Sequence, residues 1–124
     1  MARRRKKPEI VTVAGFQWVL NPPASDPERE RWTLQVPGVM LHVTDYGADD
    51  SRAADGGYFK GWRVVCGGPR REEYASRDEA MEGARENGDI AREIGYAIGA
   101  AHTDHGAARA NEATRLAREA GLEL

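Results

Sequence analysis

Few side chains in this sequence are of a type and spacing that could do chemistry. Cys66 and His42 are the obvious nucleophile and base among the segments that read as strands, since a thiol is activated by an adjacent imidazole. The alternation of those strands sends the two side chains to opposite faces of a sheet, so a dyad would require a bulge or another register. Cys66 therefore reads as a small core residue. His102, Asp104 and His105 stand close enough to suggest a metal. They straddle a helix junction, however, and no third or fourth ligand has a recognisable spacing, so the alternative is a polar turn. The aspartates of "DYGADDSRAADGG" (Asp45–Gly57) miss the alternating spacing of a helix–loop–helix calcium site, and no glutamate closes the ring. "CGGPRR" lacks the lysine and the spacing of a phosphate-binding loop. No catalytic residue, metal or other cofactor is expected.

Charge is distributed unevenly. Residues 1–7 hold Arg3, Arg4, Arg5, Lys6 and Lys7 and no acid, so the formal net charge of −2 divides into +5 there and −7 over the remainder. A basic tail on an acidic body is not the footprint of a nucleic-acid-binding core. The tail could hold phosphates weakly and with steep salt dependence; its other reading is a disordered, solubilising arm. Ahead of "EIVTVAGFQWVL" the tail also has the outline of a secretory signal, but Pro8 and Glu9 interrupt the junction and no A-x-A site follows. No run approaches the roughly 20 apolar residues of a membrane-spanning helix. A single cysteine precludes an internal disulfide and fits a reducing compartment. The expected location is the cytoplasm, with no membrane partner.

These residues must be positioned by a small framework. With 124 residues there is room for one core, here residues 9–124, following a basic tail at residues 1–8. Residues 9–75 read as sheet and 76–124 as helices. Glu9–Leu20 is a β-branched strand region expected to bend at Gly15, and "NPPASDPERE" is a loop. "RWTLQV" and "VMLHVT" flank Pro37-Gly38, a tight turn that pairs Val36 with Val39, Leu34 with Leu41 and Trp32 with Val43 on one face. Arg31, Thr33, Gln35, Met40, His42 and Thr44 fall on the other. "YFKGWRVVC" continues as a strand with Trp62, Val64 and Cys66 on one side and Arg63 and Val65 on the other. A "GGPRR" loop returns the chain so that Tyr74 meets Val64. Ser76 caps a helix and Glu79 completes a capping box; Asn87-Gly88 ends it or bends it. Asp89 opens a second helix with Ile90, Ile94 and Ile98 on one stripe, and a third runs from Asp104 to Ala120 with Gly121 as its stop. Strands followed by helices define an α+β class, an antiparallel sheet of four to five strands and two to three helices.

The succession strand–strand–strand–helix over residues 31–87, with "GWRVV", the "GGPRR" turn and a helix opened by "SRDEA", resembles the three-stranded DNA-binding domain of plant ethylene-response factors and of the arm-binding domains of phage integrases. The resemblance implies that the outer face of the sheet enters the major groove, with Arg63, Arg70 and Arg71 as contacts. Met40, Val65 and Glu73 on that face, and Glu72 beside the arginines, depart from the basic and aromatic strands of that family.

The helices point elsewhere. Ala91, Gly95 and Gly99 recur every fourth position, and each glycine inside a helix costs about 1 kcal/mol relative to alanine. Close helix–helix approach, within the monomer or between copies, would compensate. The third helix offers Ala107, Ala110, Ala113, Ala117 and Ala120, with Leu116 its only large apolar side chain before Gly121. Such a face is marginal unless something covers it. The expected function is a small non-enzymatic protein-interaction or regulatory protein, of the kind a phage or mobile element carries, binding a protein partner or a second copy through Ala91, Gly95, Gly99 and Leu116. The alternative is an accessory nucleic-acid binder using Arg3, Arg4, Arg5, Lys6 and Lys7 with Arg63, Arg70 and Arg71.

Overall fold

The computed structural model of the protein describes residues 9–21, 30–47, 60–100 and 104–123. The basic segment 1–8, residues 22–29, residues 48–57 of "DYGADDSRAADGG", the first two residues of the expected strand "YFKGWRVVC", and His102 lie outside the described residues, as do the side chains of Asp104 and His105. Five strands, β1 (Ile10–Val13), β2 (Phe16–Asn21), β3 (Arg31–Leu34), β4 (His42–Asp45) and β5 (Trp62–Val65), are followed by α1 (Arg77–Glu86), α2 (Asp89–Gly99) and α3 (Asp104–Glu119). The strands form one antiparallel sheet in sequence order, which makes the class α+β.

Alternation decides which face is packed. Trp32 lies opposite Val43 and the Leu34 N–H donates to the Leu41 carbonyl at 3.0 Å, while the Val39 N–H closes the Pro37-Gly38 turn on the Val36 carbonyl. All six apolar side chains of this hairpin are buried, joined by Phe16, Trp18 and Val64. Ala80, Met81 and Ala84 of α1, Ile90 and Ile94 of α2, and Ala113 and Ala117 of α3 complete the same core. A large aliphatic side chain buried in this way stabilises by roughly 1.5–3 kcal/mol. The alanine face of α3 is thus covered by its own chain: small side chains bring α3 close to α2, and only Ala107 at its far end is exposed.

Helix ends follow their local chemistry. The Ser76 Oγ accepts the Glu79 N–H at 3.2 Å, and the Glu79 carboxylate reaches back to the Ala75 N–H. α3 stops where Gly121 turns left-handed (φ 73°), with the Leu122 N–H on the Ala117 carbonyl and the Gly121 N–H on the Arg118 carbonyl.

Two expected elements differ. The single bent strand over Glu9–Leu20 is a hairpin, β1 and β2, turned by Ala14-Gly15 with both φ positive (57° and 85°). Left-handed backbone at alanine costs about 1–2 kcal/mol. The Arg85 guanidinium holds it there by donating to the Ala14 carbonyl at 2.7 Å, a contact from 71 positions away. Tyr74 bridges to Trp62, not Val64, and the returning segment is two isolated bridges, Val65 to Pro69 and Trp62 to Tyr74. The register slips between them, where the Arg63 guanidinium donates to the Arg70 and Arg71 carbonyls.

Candidate functional site

Arg63 stands opposite Thr44 on the outer side of the sheet, where alternation predicts an exposed cation. It is 6% exposed. Its Nε donates to the Lys60 carbonyl at 3.1 Å, its Nη1 to the carbonyls of Arg70 and Arg71, and its Nη2 lies 3.8 Å from the Glu73 carboxylate. The guanidinium thereby satisfies carbonyls of the bulged return segment that no strand partner reaches. Thr44, expected on the polar face, is buried beside it. Arg70 donates to the Cys66 Sγ at 3.1 Å and lies 3.6 Å from the Asp89 carboxylate. Of the three sheet-side arginines expected to face a ligand, Arg63 is therefore turned inward, Arg70 is tied to the start of α2, and Arg71 is exposed.

His42 pairs with Val65, so the neighbouring Cys66 falls on the opposite face, packed against the core. Burial, followed by the nearby Arg31 charge, pushes the His42 pKa down to about 4. Among the described residues there is no cluster of histidine, cysteine or carboxylate side chains able to hold a metal ion, and no helix long and apolar enough to cross a membrane.

The helical side is different. Gly88 (φ 82°) reverses the chain out of α1 and starts α2. Ile90 and Ile94 then point fully into the core, with Ala97 and Ile98 half-buried against it. The opposite side presents Gly95, Tyr96, Gly99 and Ala100 to solvent, with Ala91 half-buried above them. A Cβ built on Gly95 or Gly99 would meet nothing within 4 Å. Among the described residues nothing closes over this row, because the isoleucine stripe, not the glycine row, is what the core draws in. Tyr96 is 64% exposed between the two glycines, and residues 94–100 carry no charge.

Leu116 occupies another surface. It is half-buried at the floor of a groove of about 430 Å³, with Leu34, Val36 and Pro37 below and Gln17, Gln35, Glu112 and Arg115 along the rim. The groove continues past Gly15, Phe16 and Glu119. No residue of α2 lines it, so Leu116 does not share a surface with Ala91, Gly95 and Gly99. Arg115 is held by Glu112 and Glu119 one turn to either side, and its hydrogen bond keeps the Glu112 carboxyl below the usual range.

Sequence reasoning missed Tyr96, though it sits inside the uncharged run "IGYAIGA" beside a glycine already singled out. It also missed the groove rim, for which no local signal exists. No protein-family model, curated protein or solved structure matches the chain.

Proposed function

We propose that this is a small cytoplasmic interaction protein without catalytic activity, which binds a protein partner or a second copy of itself through the outward face of α2. The observation that carries the reading is the open space over Gly95 and Gly99. Two interior helical glycines cost about 1 kcal/mol each relative to alanine. Among the described residues nothing packs over the two glycines to offset that cost. A helix laid across bare backbone would offset it, and the exposed Tyr96 ring beside the glycines supplies a large, rigid contact at small entropic cost. The partner chemistry that fits is a helix with small residues at its crossing point. Arg63, turned inward, and Arg70, held by Cys66 and Asp89, do not support the nucleic-acid alternative.

Gly95→Leu tests this directly. The leucine enters open space, so the monomer should melt at an unchanged or slightly higher temperature. The same side chain holds an approaching helix away, and overpacking of about 1–3 kcal/mol weakens a complex about five- to a hundredfold. Sedimentation across a concentration series reads self-association, and capture from nuclease-treated lysate with wild type and variant as baits reads a partner. Equal association by both chains would sink the reading. Nucleic acid bound by the wild type at low salt, with no protein partner, would replace it by the alternative.

A further inference from the structure

The two edges of the sheet are finished differently. The outer edge of β5 is met by Pro69 and Tyr74, and Trp62 exchanges both backbone hydrogen bonds with Tyr74 at 2.9 Å. Among the described residues β1 has no such cover. Its hairpin fixes the phase: Val13 pairs with Phe16 across the turn and the Glu9 carbonyl accepts the Leu20 N–H at 3.1 Å. Glu9, Val11 and Val13 therefore turn their backbone groups toward β2, and Ile10 and Thr12 turn theirs away from the sheet. Among the described residues nothing meets them. Side chains repeat the message. Val11 and Val13 face the core but are only half-buried, whereas Phe16 and Trp18 opposite them are 3% and 0% exposed. Ile10 is 54% exposed on the other face. Directly before this edge, separated by Pro8 and Glu9, stand the five cations of residues 3–7.

We propose that the β1 edge accepts an added strand from an extended acidic segment of a partner protein, paired antiparallel to β1 through the backbone of Ile10 and Thr12. Strand addition draws affinity from main-chain hydrogen bonds and specificity from the flanking side chains. Every pair in this sheet is antiparallel, and that arrangement is the more stable per residue. It carries the residues after the added strand to the Glu9 end of β1, the end that the five cations precede in the sequence, so acids there are complemented. A second copy is the poorer occupant: antiparallel pairing of two β1 strands sets the Glu9 end of each, which the cations precede in the sequence, against the other's Ala14-Gly15 turn, where Arg85 already sits. This site is independent of the α2 face.

The probe is a fluorescent twelve-residue peptide of alternating threonine and valine followed by four glutamates, with a control ending in four lysines. Bound to the full chain, the glutamate peptide should slow amide exchange of Ile10 and Thr12 about tenfold or more while leaving Val11 and Val13, already bonded to β2, nearly unchanged. The lysine peptide should bind at least about tenfold more weakly. Thr12→Pro deletes one outward N–H at an edge position where proline is tolerated, and should weaken the glutamate peptide about tenfold. The exchange measurement on the unaltered chain decides the matter if that variant does not fold. Binding without protection of Ile10 and Thr12 would mean that the cations alone hold the peptide and would overturn the proposal. So would equal binding of the two peptides, the same protection by single-stranded DNA, or no binding.

Discussion

Gly83 in α1 and the pair Gly95 and Gly99 in α2 are helical glycines in opposite surroundings. A Cβ on Gly83 would overlap the Tyr74 ring, which lies across the helix with its hydroxyl accepting the Asn87 side-chain N–H at 2.8 Å. A Cβ on Gly95 or Gly99 would meet solvent. In α1 the missing side chain makes room for the Tyr74 ring; in α2 no described residue fills the space. The corner formed by β5, its return segment and α1 is interlocked in other ways too, by Arg63 on its carbonyls and by the capped start of α1. The outward face of α2 has no comparable contacts among the described residues. One glycine thus reports an intramolecular fit, and two report a helix face left open among the described residues.

The largest expected effect separates the two helices. Gly83→Leu must displace the Tyr74 ring and should cost about 3 kcal/mol or more, beyond ordinary overpacking, whereas Gly95→Leu should leave stability within about 0.5 kcal/mol or raise it. Urea midpoints of the two variants check this, and equal losses would erase the distinction between the helices.

Arg63→Ala probes the same corner from the sheet side. It strands the carbonyls of Lys60, Arg70 and Arg71, which the guanidinium now satisfies. Leaving such groups unpaired should cost roughly 2–4 kcal/mol, with Arg63→Lys recovering only part of it because a point charge cannot fork to several carbonyls. Thermal melting of both variants decides. An alanine variant as stable as wild type would return Arg63 to the surface role that its place in the strand suggests.

That role is where sequence and structure part. The Val36–Pro37–Gly38–Val39 turn and its six apolar partners were legible because turn chemistry and alternation agree on one register. The Ser76 cap, the Asn87-Gly88 break and the isoleucine stripe were legible for the same local reason. Ala14-Gly15 was not, since alanine is a poor resident of such a turn and the Arg85 contact that holds it is remote in sequence. Nor was Arg63: an arginine on the outward phase of a strand reads as solvent-exposed until the carbonyls of a bulged loop are in place. The glycine row was legible as a row. Which surface it faced depended on three-dimensional packing.

The corner should also respond to pH. His42, paired with Val65 of β5, has its pKa lowered from 6.5 to about 4, first by burial and then by Arg31. A base whose folded pKa is depressed favours the native state while it is neutral. Its contribution is complete above pH 6.5 and is lost as pH falls from there to about 4. Allowing for partial solvent contact, that loss should be roughly 2 kcal/mol. His42→Gln should flatten the stability profile across this window by that amount, and identical slopes in the two proteins would show that His42 titrates normally.

The smallest effect tests the α2 side alone. Gly95→Ala with Gly99→Ala adds two methyl groups where nothing obstructs them and removes two sources of unfolded-chain freedom. Each change should stabilise the monomer by about 0.4–1 kcal/mol, so the double variant should melt several degrees higher. The same methyl groups stand between this helix and any helix laid across it. A chain that gains stability while losing association would therefore show that the glycines cost folding energy and serve contact with a partner. Calorimetry and sedimentation on one preparation give both numbers. A double variant that melts lower would place an unseen intramolecular contact over the row, and one that melts higher with association intact would leave the glycines without a role in binding.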